Sequence, residues 1–286
     1  ARISLPFELR PPLEKSEEVN QYYEQYNNIL NLEKNRQQTL DDLINQMNEN
    51  GVTHGILHAE YEYGDPADEL NEAVAKVVQD YPDLFSGFGT ISMNNLKPTK
   101  ALSQINQVKD LGLIGLNIQP AFFNMAIDDK RLYPVYAKAS ELGLIVAIHT
   151  GINYSRPAPM RNEHPLMLDQ IASDFPDLTI IACHGSWPWI PEIVAVARRH
   201  PNVLLDFGGL SPKYIAKQGS GWEVLYQFIN LLSDQILFAT DWPVFPLERA
   251  IREWKEMGLR EDTLNKLMFK NAEHYILKAR KEDIAL

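Results

Sequence analysis

A regular alternation of helical segments and short apolar runs constrains the fold more than any other feature of this chain. It begins near Thr39, where TLDDLINQMNENG has apolar residues at helical spacing, a candidate cap at Thr39 and a stop at Gly51. VTHGILHA follows as an apolar run. If residues 3–9 are counted as the first strand, the sequence contains eight strands, each followed by a helix. The eighth strand is predicted over residues 235–241, after a helix over residues 221–233. Apolar strands joined by helices predict a parallel sheet covered on both faces. Eight such units predict an α/β fold, the (β/α)8 or TIM barrel.

One polar stretch interrupts this alternation. Residues 11–38 lie between the first strand and the helix that begins near Thr39. An insertion after a barrel strand falls on the face where barrel active sites form, so these residues are a candidate lid, with a solvated helical extension as the alternative. Because the repeating units use the rest of the chain, residues 1–286 are predicted to form a single barrel domain with this insertion.

Composition narrows the class of protein. The chain is 45% hydrophobic and 23% charged, as in globular proteins, and its net charge of −11 opposes nucleic acid or anionic membranes as main partners. Its only cysteine, Cys183, rules out an intramolecular disulfide and a cysteine-based zinc cluster. Alternation along the strand points Cys183 away from the side of the next residue, His184, so we expect a core residue and not a nucleophile. No signal peptide or long apolar run is evident, so we expect a cytoplasmic protein with a small-molecule substrate.

Polar residues at the ends of predicted strands are the main functional signal, because strand ends point to the catalytic face of a barrel. Glu8 and Arg10 end the first strand, His149 the fifth, His184 the sixth and Asp241 the eighth. Carboxylates and imidazoles that meet at one barrel mouth can bind a divalent cation and leave one group to transfer protons. The spacing therefore predicts a metal-dependent site.

Three segments resemble the amidohydrolase-related family, which includes aminocarboxymuconate-semialdehyde decarboxylase, the resorcylate decarboxylases and pyrone-dicarboxylate lactonase. They are GLNIQPAFFNMAIDDKRLYPVYAKASELGLIVAIHTG, IACHGSWPWIPEIVAVARRHPNVLLDFGG and ILFATDWPVFPLERAI. The resemblance implies a metal-dependent TIM-barrel enzyme in which His149 binds metal and His184 is the general acid/base. It also implies that Asp241 binds metal or handles a proton, and that the protein forms homo-oligomers.

The first strand departs from this family, whose members often have His-x-His or Glu-x-His where this chain has Glu8-Leu9-Arg10. Glu8 can still bind a metal, whereas the guanidinium of Arg10 has only donors and cannot. Two arrangements follow. Either Glu8, His149 and Asp241 hold a divalent metal, predicted to be zinc, while Arg10 binds a substrate carboxylate, or Arg10 replaces the metal by pairing with Glu8 and Asp241.

Two neutral amides form a second departure. Many relatives have Lys-x-His-Pro at the end of the fourth strand, where this chain has Asn117 and Gln119. These amides either bind substrate or satisfy buried backbone groups. His58, at the end of the second strand, is a further candidate for substrate binding or for a structural hydrogen bond.

Three more residues follow the fifth, sixth and eighth strands. Arg156 could hold an anionic substrate or be a solvated loop charge. Trp187 and Trp242 could wall an aromatic or unsaturated substrate or pack between helix and barrel.

The leading interpretation is a metal-dependent hydrolase that acts on a small carboxylated or cyclic substrate, such as a lactone or amide. The alternative is a non-oxidative decarboxylase of an aromatic or unsaturated carboxylic acid, which Glu8 favours. A third interpretation, of another class, is a metal-free binding barrel in which Arg10 takes the place of the metal.

Overall fold

A computed structural model describes residues 2–3, 38–61, 66–154 and 158–277. In these ranges, eight strands form one parallel sheet in sequence order. They are β1 (Arg2–Ile3), β2 (Gly55–Ala59), β3 (Phe85–Gly89), β4 (Gly115–Ile118), β5 (Ile145–His149), β6 (Ile180–Cys183), β7 (Val203–Asp206) and β8 (Ile236–Leu237). The pairs found among the described residues run from β1 to β8, and none joins β8 back to β1.

Helices connect successive strands, as the alternation predicts. They are α1 (Leu40–Glu49), α2 (Ala67–Asp80), α3 (Pro98–Asp110), α4 (Tyr133–Glu141), α5 (Leu166–Asp174), α6 (Ile190–Arg199), α7 (Glu223–Phe228), α8 (Leu247–Glu256) and α9 (Glu261–Asn265). Two π-helical segments, Lys266–Lys270 and Glu273–Leu277, follow α9. No helix in the described part of the chain has the length and apolar character needed to cross a membrane.

The start of α1 illustrates how local sequence sets an element boundary. Thr39 Oγ1 accepts a hydrogen bond from the Asp42 backbone N–H at 3.2 Å, and the Thr39 N–H donates to Asp42 Oδ2 at 2.7 Å. This reciprocal pair satisfies backbone donors that the first helical turn leaves open. The chain leaves the helix through Gly51, whose φ of +67° suits a glycine. The predicted cap at Thr39 and the stop at Gly51 are both confirmed.

The two faces of the sheet pack into separate apolar clusters. On β5, Val146 and Ile148 belong to the large cluster between sheet and helices, whereas Ile145 and Ala147 belong to a smaller one. The smaller cluster also joins Phe88 of β3 to Leu237 of β8. Strands so far apart in the sheet can share one cluster only because the sheet curls, so this cluster marks its concave, inner face.

Two predicted elements are shorter than expected. The predicted eighth strand covered residues 235–241, but β8 ends at Leu237, and Asp241 has a left-handed φ of +56° that no strand contains. The predicted helix over residues 221–233 is observed only as Glu223–Phe228. The first strand is described for Arg2–Ile3, so most of the predicted range 3–9 and nearly all of the candidate lid 11–38 lie outside the described residues.

Candidate active site

A cavity opens at the carboxyl ends of the strands and is lined mainly by ionisable and amide side chains. These are three histidines, three carboxylates and two amides: His58, His149, His184, Glu60, Asp206, Asp241, Asn117 and Gln119. Several continue the inner-face alternation of their strands. His149 follows Ile145 and Ala147 at a spacing of two residues, and Asp206 follows Leu204.

His149 ends β5 and is held by a buried carboxyl group. Its Nδ1 lies 2.5 Å from Oε1 of Glu163, whose side chain is fully buried. Glu163 belongs to the short 3-10 turn Met160–Glu163 in the loop after β5. Its other carboxyl oxygen accepts a hydrogen bond from the side-chain amide of Asn153. The imidazole is therefore fixed from behind by a carboxyl group of the same connecting loop.

Burial is the main influence on Glu163 and raises its pKa to about 8, while the amide donors of Asn153 and the nearby His184 act in the opposite direction. A nitrogen–oxygen separation of 2.5 Å requires a proton between Oε1 and Nδ1 of His149.

His184 reaches the same cavity through an unusual backbone conformation. Alternation along β6 would place it on the outer face, because Cys183 occupies the inner position, but its φ of +62° turns it inward. Its backbone N–H donates to Asp206 Oδ1 at 3.1 Å. Its Nδ1 donates to the Gly208 carbonyl at 2.8 Å, which leaves Nε2 as the nitrogen that can accept a proton.

The ends of β5 and β6 are tied together beside these two histidines. The rings of His149 and His184 have centroids 4.5 Å apart. Thr150, next to His149, donates from Oγ1 to the Cys183 carbonyl at 2.6 Å and bonds Ser186 Oγ at 2.7 Å. Adjacent strand ends therefore hold two imidazoles in contact, each anchored through Nδ1.

Asp241 completes this group of side chains from the segment after β8. A Cβ added to Gly209 would lie 3.1 Å from Asp241 Oδ2 and 3.6 Å from His184 Nδ1, so the carboxylate and the imidazole flank this glycine. Gly209 has a φ of +71°, and its N–H donates to the Thr240 carbonyl at 3.1 Å. The tight turn after β7 thus brings Asp241 next to His184.

Two amides at the end of β4, Asn117 within the strand and Gln119 directly after it, bind the end of β2. Asn117 Nδ2 donates to the Ala59 carbonyl at 3.0 Å and to Glu60 at 3.3 Å. Gln119 Nε2 donates to the Tyr61 carbonyl at 2.7 Å and to Glu60 at 3.3 Å. These contacts satisfy buried backbone groups and also hold the Glu60 carboxylate in the cavity wall.

His58 lines the cavity one residue before the end of β2. Its ring stacks on Phe88 with centroids 4.9 Å apart. Burial is the main cause that lowers the pKa of His58, to about 4, so the ring is neutral at physiological pH. A neutral ring stacked on phenylalanine can form hydrogen bonds with a ligand but does not attract anions.

Cys183 corrects one expectation. Alternation was expected to point its thiol away from the side of His184, but both residues line the cavity because His184 leaves the strand conformation. Burial, together with Asp206, raises the pKa of the thiol well above its usual value. It packs within the inner apolar cluster, in agreement with the expected role as a core residue and not a nucleophile.

The structure places the remaining predicted residues as follows. Glu8, Arg10 and Arg156 lie outside the described residues. Trp242 is buried and donates from Nε1 to Gln46 Oε1 of α1 at 3.2 Å, and Trp187 packs against the outer apolar cluster. Neither tryptophan is among the residues that line the cavity.

Three carboxyl groups near the histidines were not predicted. Glu60 and Asp206 stand at or just after strand ends, so the signal that selected His149 applies to them as well. Glu163 has no such signal, because it lies 14 residues after His149 in an irregular loop. Only the folded loop shows that the two side chains touch.

The donor chemistry fits a divalent metal in part. His149 has a carboxyl partner on one ring nitrogen, an arrangement common for metal-binding histidines, and Asp241 offers a carboxylate in the same cavity. Among the described residues, no three His, Cys, Asp or Glu side chains form a complete ligand set. The predicted third ligand, Glu8, lies outside them.

Comparison with known proteins identifies the family of this chain. The amidohydrolase family matches residues 29–274. A 2-amino-3-carboxymuconate-6-semialdehyde decarboxylase from Dictyostelium discoideum is 30% identical over 216 residues, which cover 65% of this chain and 58% of that protein. The chain therefore spans little more than half the length of this curated relative.

Solved structures show the same fold. An uncharacterised TIM-barrel protein from Bordetella bronchiseptica superposes with a TM-score of 0.74 at 29% identity, over 84% of this chain and 83% of that one. A dihydroxybenzoic acid decarboxylase from Polaromonas, solved with manganese and an inhibitor, superposes with a TM-score of 0.67 at 17% identity over 100% and 97% of the two chains. The parallel sheet is thus TIM-barrel-like, and the chain belongs to the amidohydrolase family.

Proposed function

We propose that this chain is a metal-dependent decarboxylase that releases carbon dioxide from a small aromatic or unsaturated carboxylic acid. The observation that carries this proposal is the 30% identity to the Dictyostelium decarboxylase over 216 residues. The sequence favoured a hydrolase, with decarboxylation as the alternative, and this relative supports the alternative more strongly. The cavity geometry is compatible with it, because His149, His184 and Asp241 meet at one place.

The proposed metal ligands are His149, Asp241 and Glu8. A bound divalent cation would withdraw electron density from a substrate carboxylate or a neighbouring oxygen. The Polaromonas enzyme contains manganese, so manganese joins the predicted zinc as a candidate. A ligand set of imidazole and carboxylate is compatible with either ion.

His184 is the proposed proton donor. Its Nδ1 keeps a proton by donating to the Gly208 carbonyl at 2.8 Å, so Nε2 is the atom that gains and releases a proton. In decarboxylation, the protonated Nε2 transfers its proton to the carbon that carries the carboxylate. The new C–H bond uses a π electron pair of the substrate. The C–C bond to the carboxylate then breaks, its electron pair restores that π bond, and carbon dioxide leaves. Asp241, beside His184, is the second candidate for this transfer.

Substrate recognition is proposed to involve the cavity wall and the cationic residues of the sequence. Asn117, Gln119 and His58 line the cavity from one side. Arg10 and Arg156 are proposed to bind substrate carboxylates, because a chain with a net charge of −11 needs local cations to attract an anion. Trp187 and Trp242 do not line the cavity, and we propose that they support an aromatic or unsaturated substrate from outside it.

Hydrolysis is the second candidate, favoured by the match to the amidohydrolase family and by the carboxylate of Asp241 beside His184. In that reaction the same pair would take a proton from water and pass it to the leaving group. The third alternative, a metal-free binding barrel, depends on Arg10 contacting Glu8 and Asp241.

The finer architecture is also part of this proposal. We expect residues 1–286 to form one domain, with the sheet closed into an eight-stranded barrel by pairing between β1 and β8 and with residues 11–38 as a lid over the cavity. We also expect the protein to form homo-oligomers.

A substrate panel tests the reaction. The full chain, loaded with Zn²⁺ or with Mn²⁺, is incubated with 2,6-dihydroxybenzoate and other hydroxybenzoates and, in parallel, with lactones and amides. We expect carbon dioxide in a one-to-one ratio with the decarboxylated product. Ring opening of a lactone without carbon dioxide release would instead establish the hydrolase. Absence of turnover, together with no metal bound after addition of either ion, would favour the metal-free barrel.

A further inference from the structure

Glu163 makes contacts that loop packing alone does not require. Its side chain is fully buried, and its two carboxyl oxygens face different partners, His149 Nδ1 at 2.5 Å and the Asn153 side-chain amide. A buried carboxyl group is costly unless its oxygens are paired. A neutral side chain could close the same loop at lower cost, so the carboxyl group is expected to serve the histidine.

The loop itself is built to hold this carboxyl group in place. The Gly151 N–H points to the Glu163 carbonyl at 3.5 Å, so the loop closes on the end of β5. The neighbouring Asn162 carbonyl accepts from the Ile127 N–H at 3.1 Å, which fixes the turn against the loop after β4. Glu163 is therefore rigidly placed relative to His149.

We propose that Glu163 is a positioning residue that, held by Asn153, fixes His149 as the tautomer protonated on Nδ1, so that Nε2 presents its lone pair to a divalent cation in the cavity. This inference rests on the proposed metal-binding role of His149. Asn153 explains why His149 Nδ1 donates to Glu163 in this proposal. Its amide occupies one carboxylate oxygen as a donor and leaves the other oxygen to accept from His149.

The variant Glu163→Gln makes a specific prediction. If Asn153 keeps its orientation as a donor, the oxygen of the new glutamine stays with Asn153 and its amide nitrogen faces His149 Nδ1. Nδ1 must then accept a hydrogen bond, which moves the ring proton to Nε2 and removes the lone pair from the cavity side. Partners of this kind typically change metal affinity by roughly 10- to 100-fold.

The matched control is Glu253→Gln. Glu253 is also a buried glutamate with two paired oxygens: Oε2 accepts from Ser211 Oγ at 2.6 Å and Oε1 accepts from Arg249 Nε at 2.7 Å, but neither partner is a histidine. A role limited to loop packing would make the two variants alike. We expect both to lower Tm, and only Glu163→Gln to change the tautomer of His149.

Two measurements test the proposal. Nitrogen-15 NMR of the metal-free full chain at pH 8.5 reports the His149 tautomer, with the signal assigned by its loss in His149→Asn. Calorimetric titration with Zn²⁺ and with Mn²⁺ reports affinity. We expect Nδ1–H in the wild type, Nε2–H in Glu163→Gln, and roughly 10- to 100-fold weaker binding in that variant only.

The proposal is overturned if wild-type His149 carries its proton on Nε2, a result that does not depend on whether Glu163→Gln folds. It is also overturned if Glu163→Gln keeps the wild-type tautomer and binds either metal within twofold of the wild-type Kd. A wild type with Nδ1–H and tight metal binding but no carbon dioxide release would refute the proposed reaction and leave the role of Glu163 intact.

Discussion

Two histidines on neighbouring strand ends share one cavity but are anchored differently. His149 faces a fully buried carboxyl group through Nδ1, whereas His184 donates from Nδ1 to the Gly208 carbonyl. Their ring centroids lie only 4.5 Å apart, so the difference is not one of location. It lies in the chemistry of the group behind each ring.

The partner of Nδ1 determines which task suits each imidazole. A carboxyl group strengthens the electron donation of the ring, which favours a metal ligand. A backbone carbonyl holds orientation without a full charge, so the ring can gain and lose a proton at Nε2. Under the proposed function, this comparison supports metal binding by His149 and proton transfer by His184. The following predictions test this contrast and the packing around it, from the largest expected effect to the smallest.

Replacement of His184 by asparagine should have the largest effect. Asparagine tolerates the left-handed φ of +62° at this position, so the backbone is kept while the proton donor is lost. We expect the rate of decarboxylation to fall by roughly 10²- to 10⁴-fold with metal content unchanged. Product assays and metal analysis on the same preparation check this result.

His164→Asn is the control. His164 lies in the loop after β5, where it contacts Trp189 and does not line the cavity. It should retain nearly full activity. Turnover of His184→Asn within threefold of wild type, or loss of its metal, would contradict the division of roles.

Gly151→Ala should push apart the backbone segments that follow β5 and β6. An added Cβ at Gly151 would lie 2.7 Å from the Trp187 carbonyl, and the φ of +93° is strained for alanine. We expect a loss of about 3 kcal/mol in the free energy of unfolding, measured with urea. Gly143→Ala isolates the backbone cost, because Gly143 has a φ of +66° and no atom within 4 Å of an added Cβ, and should lose only about 1 kcal/mol. Equal losses would show that the close approach does not matter.

His58 gives a third kind of environment, an imidazole stacked on Phe88, and predicts a pH dependence of stability. Burial lowers its pKa from 6.5 to about 4. Between these values the unfolded chain binds a proton that the folded chain does not. The free energy of unfolding should therefore decrease as the pH falls from 6.5 to 4, by about 3 kcal/mol. In His58→Gln this contribution should vanish, and a difference between the two proteins that does not vary with pH would refute the prediction.

Thr150→Val should have the smallest effect. Valine keeps the shape of threonine but removes the hydroxyl that bonds the Cys183 carbonyl at 2.6 Å and Ser186 at 2.7 Å. The Cys183 carbonyl and the Ser186 hydroxyl would each lose this buried partner, which should reduce the free energy of unfolding by about 1 to 2 kcal/mol. The exposed Thr53→Val is the comparison and should change it by less than about 0.5 kcal/mol. If both substitutions cost the same, the hydroxyl does not tie β5 to β6.

Much of the fold could be predicted because periodicity is local. The spacing of Leu43 and Met47 indicates α1, and the apolar run that ends in His149 indicates β5. The rule that polar residues at strand ends point to the cavity brought His149, His184 and Asp241 together as candidates. It also applies to Asp206, which ends β7.

Other parts of the site follow no local rule. Alternation assigned Cys183 and His184 to opposite sides, and a single residue with φ of +62° places both at the cavity. Glu163 meets His149 only after an irregular loop folds back on β5. Such contacts depend on loop conformation, which residue spacing does not encode.

The sequence by itself determined the order of strands and helices and which side chains could donate, accept or bind a cation, because element type and side-chain chemistry are local properties. Only the tertiary structure decided what stands behind each imidazole. A carboxyl group from one loop and a carbonyl from another reach these rings through long-range packing, and that packing distinguishes two histidines that strand-end position alone does not distinguish.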